Sequence, residues 1–369
     1  MNISTTKKEL QAAFSKLTKT TQVKSQNPLV NYTYISSGAH GVTLHSTDME
    51  VGIKTQVTAS VNTKGEGLFP TSEVNDIISV IDEGRVDIDI AGPHINIKSE
   101  KGISFDIPTV PFQEYPEIPE NKHEALFTIE TDKLKNIISS LLYAINAEPT
   151  KPALNGAYFY FAQDKIDFVA TDGHRLVKIT RQNETNISKG YIIPKKYLNI
   201  LNTFLQGQKE TSLIFSEDYV FLNNGKDVFY SKIIDEKFPN YNAVIPESNP
   251  EELTAQKTEM LNNIKAASIA TNKNTNQISL NFSEGKVYFK SVNQPESKTV
   301  YAPVKSAEYK GKELAIGFNA TYLKEAVAKY PSEDISFTFK DANSATLFLP
   351  KENDQKTTIL LMPVRINEQ

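Results

Sequence analysis

The feature that most constrains this chain is that it repeats itself. Markers recur at a spacing of about 124 residues, so three similar units fill the 369 positions, and a fixed period dictates a modular architecture before any single residue is weighed. The first marker is apolar spacing of helical type at the start of each unit: Leu10, Ala13, Phe14 and Leu17, then Leu134, Ile137, Ile138 and Leu141, then Met260, Ile264 and Ala267. The second is a strand running into a polar turn, V-T-L-H-S-T-D-M-E ending at Glu50, I-D-F-V-A-T-D-G-H ending at His174, and V-Y-F-K-S-V-N-Q-P ending at Pro295. The third is another helical pattern, with Val74, Ile77, Ile78 and Ile81, then Leu198, Leu201 and Leu205, then Leu323, Ala326, Val327 and Tyr330.

Helices are therefore expected over 6–19, 71–82, 131–145, 195–205, 257–270 and 320–330. Between them, alternating stretches such as I-S-L-N-F, K-V-Y-F-K and I-S-F-T-F-K, broken by D-G, E-G and N-N-G, predict antiparallel strands. The fold class is α+β, each unit reading as two copies of a helix followed by several strands. Segments 108–119 and 239–250, each bounded by proline, close the first two units and read as ordered linkers.

Composition narrows the functions. With no cysteine, disulfides, thiolate metal sites and cysteine nucleophiles are excluded. The N-terminal M-N-I-S-T-T-K-K-E-L lacks the apolar segment of a secretory signal and no apolar run approaches bilayer length, so a cytoplasmic protein is expected. Basic and acidic residues number 40 and 44, for a net charge of -4. The six expected helices carry twelve lysines and seven acids, leaving -9 elsewhere. Positive helices are thus segregated from a negative remainder, the second helix with Glu73, Asp76 and Asp82 excepted. Solvated helix faces also collect lysine, but recurrence over five helices points to a wall for phosphate contact. Only Arg85, Arg175, Arg181 and Arg365 occur, which disfavours bidentate reading of base edges.

The most enzyme-like stretch is T-D-G-H-R-L at 171–176, where Asp172 and His174 suggest an acid–base pair. A tight turn at Asp172-Gly173 explains the same residues, and the matching Thr47-Asp48 turn, with Glu50 at the place of His174, favours that explanation. His40, His45, His94 and His123 lack metal-site spacing, and no phosphate loop, dinucleotide turn or nucleophile elbow is present. No cofactor or metal is expected.

K-P-A-L-N-G at 151–156, V-A-T-D-G-H-R-L at 169–176, F-P-N-Y at 238–241 and L-M-P-V-R at 361–365 together resemble the signature segments of the bacterial sliding clamp, the β subunit of the replicative DNA polymerase III, in that family's order and spacing. The resemblance spans the whole chain. It implies three clamp domains, bounded here at 1–120, 121–250 and 251–369, each with two helices on antiparallel sheets. It also implies a head-to-tail homodimer closed into a ring with helices inside. The function implied is that of a processivity factor in the DNA polymerase III holoenzyme. Such a ring encircles duplex DNA without sequence preference and performs no catalysis. Lys24, Lys195 and Lys196 then fall at DNA-contact positions.

The family's partner site, an apolar pocket for short motifs bearing glutamine, leucine and phenylalanine, maps here to Leu154, Thr171, Gly173, His174, Arg175, Leu176, Pro239, Val244, Leu360, Met362, Pro363, Val364 and Arg365, with Asn319 and Tyr322 nearby. The two arginines are expected as rim donors. The implied partners are the replicative polymerase, the clamp loader, and other polymerases and repair proteins. From sequence alone Met362 and Leu176 read as core residues, a preference that the resemblance reverses, and Phe105, Ile107 and Ile269, at the family's dimer interface, also read as interior strand and helix residues. Two departures stand out: Ala243, where some relatives carry a basic residue, and a tail of Ile366, Asn367, Glu368 and Gln369. Two alternatives stay open, a specialised clamp copy and a hydrolase using Asp172 and His174.

Overall fold

In the computed structural model, which describes residues 1–21, 27–38, 41–119, 125–205, 207–272, 275–283, 285–350 and 356–366, the helical spacing becomes six α-helices. They are α1 (Lys7–Thr21), α2 (Thr71–Val80), α3 (Thr131–Leu141), α4 (Lys195–Phe204), α5 (Lys257–Ser268) and α6 (Ala320–Lys329). The apolar positions picked out by period are the buried ones. Leu10, Phe14 and Leu17 of α1, Leu134 and Ile138 of α3, and Met260 and Ile264 of α5 are at most 1% exposed. Each helix follows a short strand, such as Asn2–Thr6 before α1 and Leu314–Asn319 before α6. The expected order of helix first is corrected to strand, helix, strands.

The chain divides into two compact units that interleave in sequence: 1–132 with 196–233, and 133–195 with 234–369. In the first unit a five-stranded sheet runs Ser60–Thr63, Asn2–Thr6, Arg85–Ala91, His94–Ser99, Ser104–Pro108. Its eight-stranded sheet runs from Ala125–Glu130 through Glu210–Phe215, Tyr219–Asn223 and Asp227–Lys232, and continues through Val51–Val57, Gly41–Thr47 and Tyr32–Gly38 to Glu66–Pro70. The second unit holds a four-stranded sheet and a nine-stranded one, in which Arg175–Gln182 pairs antiparallel with Lys356–Leu361. Strands 51–57 and 227–232, far apart in sequence, pair as neighbours. A unit is thus made by non-local ladders and does not follow the 124-residue period.

Lysines at the helix starts have a structural use that the charge count did not reveal. Lys7 donates Nζ to the Ile81 carbonyl, Lys195 to that of Ile145, and Lys257 to that of Tyr330, at 2.7, 2.9 and 2.7 Å. The Ile81 and Tyr330 carbonyls lie just past the ends of α2 and α6, where carbonyls lack intrahelical partners and the dipole favours a cation. Ile145 follows the 3-10 turn Leu142–Ala144 that extends α3. These three lysines therefore belong to the framework.

The repeated turn is reproduced bond for bond. Thr47 Oγ1 donates to the Val51 carbonyl at 3.0 Å, as Thr171 Oγ1 does to that of Arg175 at 2.6 Å. Asp48 Oδ1 accepts from the Glu50 and Val51 amides, and Asp172 Oδ1 from those of His174 and Arg175, all within 3.0 Å. In the third repeat Asn293 occupies the place and accepts from the Glu296 amide at 3.3 Å.

Candidate functional site

In the second unit, residues of the first three signature segments join one apolar cluster with Leu360, which immediately precedes the fourth. Leu176 pairs with Leu360 across adjacent strands, both 2% exposed. They belong to a cluster with Val169, Ile192, Phe238, Tyr241, Ala345 and Leu347, against which Leu154 packs half-buried. Core packing and the site floor are therefore one set of side chains. The ladder extends past the strand end, where the Met362 amide donates to the His174 carbonyl at 2.9 Å. That bond leaves the Met362 side chain 38% exposed. Val244, 54% exposed, and exposed Pro239 rise from the segment between Phe238 and Ile245. A buried apolar cluster and accessible apolar side chains on adjoining stretches of chain are together the composition that a short apolar ligand segment requires.

The segment from Phe238 to Ile245 is held by a buried carboxylate. Asp167, fully buried in the strand Lys165–Thr171, accepts from Tyr241 Oη at 2.8 Å and from Thr180 Oγ1 at 2.6 Å. Lys178 Nζ lies 3.4 Å from Asp167, 5.3 Å from the Tyr241 ring centre, and donates to Asn242 Oδ1 at 3.0 Å. Burial, reinforced by the Asp167 charge, pushes the Tyr241 phenol up, so it stays a proton donor at neutral pH. Asp167, Lys178, Phe238 and Tyr241 were not among the expected site residues. Sequence signals were available for three of them: Phe238 and Tyr241 bound the F-P-N-Y segment, and Asp167 is a lone acid in an apolar strand, K-I-D-F-V-A-T.

At the other side, Gly173 takes a φ of +90°, which the turn requires and which glycine adopts without strain. His174 is exposed and its ring stacks on Tyr322, centroids 6.1 Å apart. Both oxygens of Asp172 are occupied, Oδ1 by two backbone amides and Oδ2 by Arg175 Nε at 2.9 Å. The turn explanation of T-D-G-H-R-L accounts for these contacts. Arg175 lies beneath the rim, only 9% exposed, with its guanidinium 4.3 Å from the Tyr322 ring centre and 5.0 Å from that of Tyr143, and paired with Glu325. The expectation of a rim donor is corrected for Arg175. A buried charge between two rings and two carboxylates is satisfied internally. Asn319 caps α6, accepting from the Thr321 and Tyr322 amides at 3.0 and 3.2 Å. The Val364 amide donates to the Gly317 carbonyl at 2.8 Å, Pro363 is half-buried, and exposed Arg365 accepts at its carbonyl from Gln277.

Of the expected DNA-contact lysines, Lys24 lies outside the described residues. Lys195 is held by the Ile145 carbonyl, and burial and the nearby Arg175 charge lower its pKa. Lys196, in the first unit, pairs with the nearly buried Asp48. Phe105 is half-buried and Ile107 is 5% exposed on the edge strand of the five-stranded sheet, whereas Ile269 is 74% exposed after α5. His45 is buried and His94 lies 3.4 Å from Asp106, while His40, His123 and Asn367 to Gln369 lie outside the described residues. Among the described residues no cluster of three acids or histidines is placed to hold a metal, and no helix is long and apolar enough to cross a membrane.

Comparison with known proteins agrees along the chain. Residues 1–119, 128–240 and 242–365 match the family models for the N-terminal, central and C-terminal domains of the DNA polymerase III beta subunit. A Beta sliding clamp of Pseudomonas aeruginosa is 26% identical over 330 residues, covering 88% of this chain and 89% of its own. One from Bacillus subtilis is 22% identical over 377 residues, covering 99% and 100%. Among solved structures, the DNA polymerase III subunit beta of Pseudomonas aeruginosa superposes with a TM-score of 0.92 at 24% identity, covering 99% of this chain and 100% of its own. A sliding clamp of Bartonella birtlesii bound to griselimycin gives 0.92 at 25%, with the same coverage.

Proposed function

The chain belongs to the DNA polymerase III beta subunit family, the beta sliding clamps, and from that premise we propose that two copies close head to tail into a ring around duplex DNA. The ring then tethers polymerases by peptide motifs. Its domains are 1–120, 121–250 and 251–369, and Phe105, Ile107 and Ile269 mark the two surfaces that meet in the dimer. The protein acts in the cytoplasm and catalyses nothing; its partners are the replicative polymerase, the clamp loader and repair proteins with such motifs.

Lys24, Lys195 and Lys196 contact the phosphates. The contacts at Lys195 and Lys196 are weak by construction, because each ammonium already has a protein partner. A closed ring needs no more than that. Loose, sequence-independent contacts permit sliding, which bidentate arginine anchors would impede.

What supports the reading is the apolar cluster that joins Leu154, Leu176 and Leu360, together with accessible Met362, Val244 and Pro239 at adjoining positions of the chain. Burying a leucine and a phenylalanine there contributes roughly 3 to 6 kcal/mol before ordering costs, which suits partners that must exchange. The remaining expected pocket residues, Thr171, Gly173, His174, Arg175, Asn319, Tyr322, Pro363, Val364 and Arg365, frame that floor or hold its frame. Calorimetric titration with a peptide bearing glutamine, leucine and phenylalanine is expected to show one site per chain. The Met362→Ala variant should weaken binding by about 1 to 2 kcal/mol. No heat and no binding with the unmodified protein would remove the pocket from the account.

A further inference from the structure

The ion-paired cluster around Arg175 has a role that the pocket floor does not explain. Its members come from three segments of the second unit: Asp172 in the turn, Tyr143 in the 3-10 turn Leu142–Ala144, and Tyr322 with Glu325 on α6. Asp172, Tyr143 and Arg175 lie in the stretch matching the central-domain model, Tyr322 and Glu325 in the stretch matching the C-terminal one. Asp172 is fixed by its turn, and the Arg175 backbone by the ladder to Leu361. The adjustable link is Glu325. Its side chain, 37% exposed, pairs with the guanidinium, and Tyr322 on the same helix lies against both Arg175 and the His174 imidazole.

We propose that Glu325 is a positioning residue for motif recognition, holding the Tyr322–His174 wall of the groove in place through Arg175. The inference deepens the peptide-pocket reading and rests on it for its binding consequence. A wall fixed before the ligand arrives lowers the ordering cost of binding.

Two measurements test it. Proton NMR of the free protein reports the His174 ring, which stacking on Tyr322 displaces from its position in an unstacked imidazole. The Glu325→Gln variant is expected to return that signal toward the unstacked position, and an unmoved signal would overturn the proposal whether or not any peptide binds. Calorimetry with the same motif peptide is expected to show about tenfold weaker binding in Glu325→Gln, and no further loss when Glu325→Gln is added to Arg175→Met. An equal loss in the two backgrounds would mean that Glu325 acts without Arg175. Should Arg175→Met fail to fold, rescue of both signal and affinity by Glu325→Asp takes its place, and absence of rescue counts against the proposal. Failure of the unmodified protein to bind peptide would sink the pocket reading alone, because the NMR arm needs no peptide.

Discussion

The turn Thr47–Val51 of the first unit and the turn Thr171–Arg175 of the second share every backbone-directed bond of their Thr and Asp side chains, but they open onto different surroundings. Where the second unit pairs Leu176 with Leu360, the first pairs Gly52 with Tyr230. The Tyr230 ring lies so close that a Cβ on Gly52 would sit 2.1 Å from its Cζ. Tyr230 Oη is in turn 2.8 Å from His45 Nε2, at the position where the second unit has Val169. Asp48 pairs with half-buried Lys196 where Asp172 pairs with buried Arg175. Duplication thus supplied the turn twice. What differs is the pair beside it, two leucines in the second unit and a glycine under a tyrosine ring in the first.

The largest effect that sharpens this contrast is loss of the turn carboxylate. Asp172→Ala leaves two backbone amides without their acceptor and removes one of the two carboxylates paired with the buried Arg175 guanidinium, for an expected cost of about 3 kcal/mol. Asp48→Ala should cost about 2 kcal/mol, because the Lys196 side chain is 30% exposed and can reach water. Urea denaturation checks both, and equal losses would break the contrast.

Next comes acid sensitivity. Burial, with Lys54 nearby, pushes His45 down to about 3 from its ordinary 6.5. The unfolded chain therefore binds a proton that the native imidazole refuses. This contribution is complete above about pH 6.5 and is lost as pH falls from there toward 3, by up to about 1.4 kcal/mol per pH unit. Between pH 7.5 and 5 the His45 share amounts to about 2 kcal/mol. It should vanish in His45→Phe, and a variant as acid-sensitive as the parent would refute the assignment.

The smallest effect concerns the third turn position. Met49 holds a left-handed φ of 78° where Gly173 holds 90°. Met49→Gly should stabilise by up to about 1 kcal/mol, and Gly173→Ala should cost about 1 kcal/mol. The second cost is backbone strain alone, since no atom lies within 4 Å of the added Cβ. Thermal unfolding of the two variants should shift in opposite directions.

Much of this was legible in the chain because its causes are local. Helix faces follow from spacing such as Leu134, Ile137, Ile138 and Leu141, and the Thr-Asp turns from side chains that bond their own backbone. The pairing of 51–57 with 227–232 left no local trace, because antiparallel alternation says which face is buried and not which strand is the neighbour. Arg175 read as a rim residue for the same reason. Its burial is decided by Glu325, 150 positions away, and by two rings on separate segments. Composition likewise shows the charges of Lys7, Lys195 and Lys257 but not the distant carbonyls that hold them.

Encirclement is tested most directly by comparing how the assembled protein leaves circular and linear duplexes of the same sequence. After loading on a nicked circle, the protein should stay bound through gel filtration at a salt concentration that abolishes lysine–phosphate contacts, and should be released once a single cut linearises the DNA. Equal dissociation from the circle and the cut molecule would contradict the account, since topology would then contribute nothing to retention.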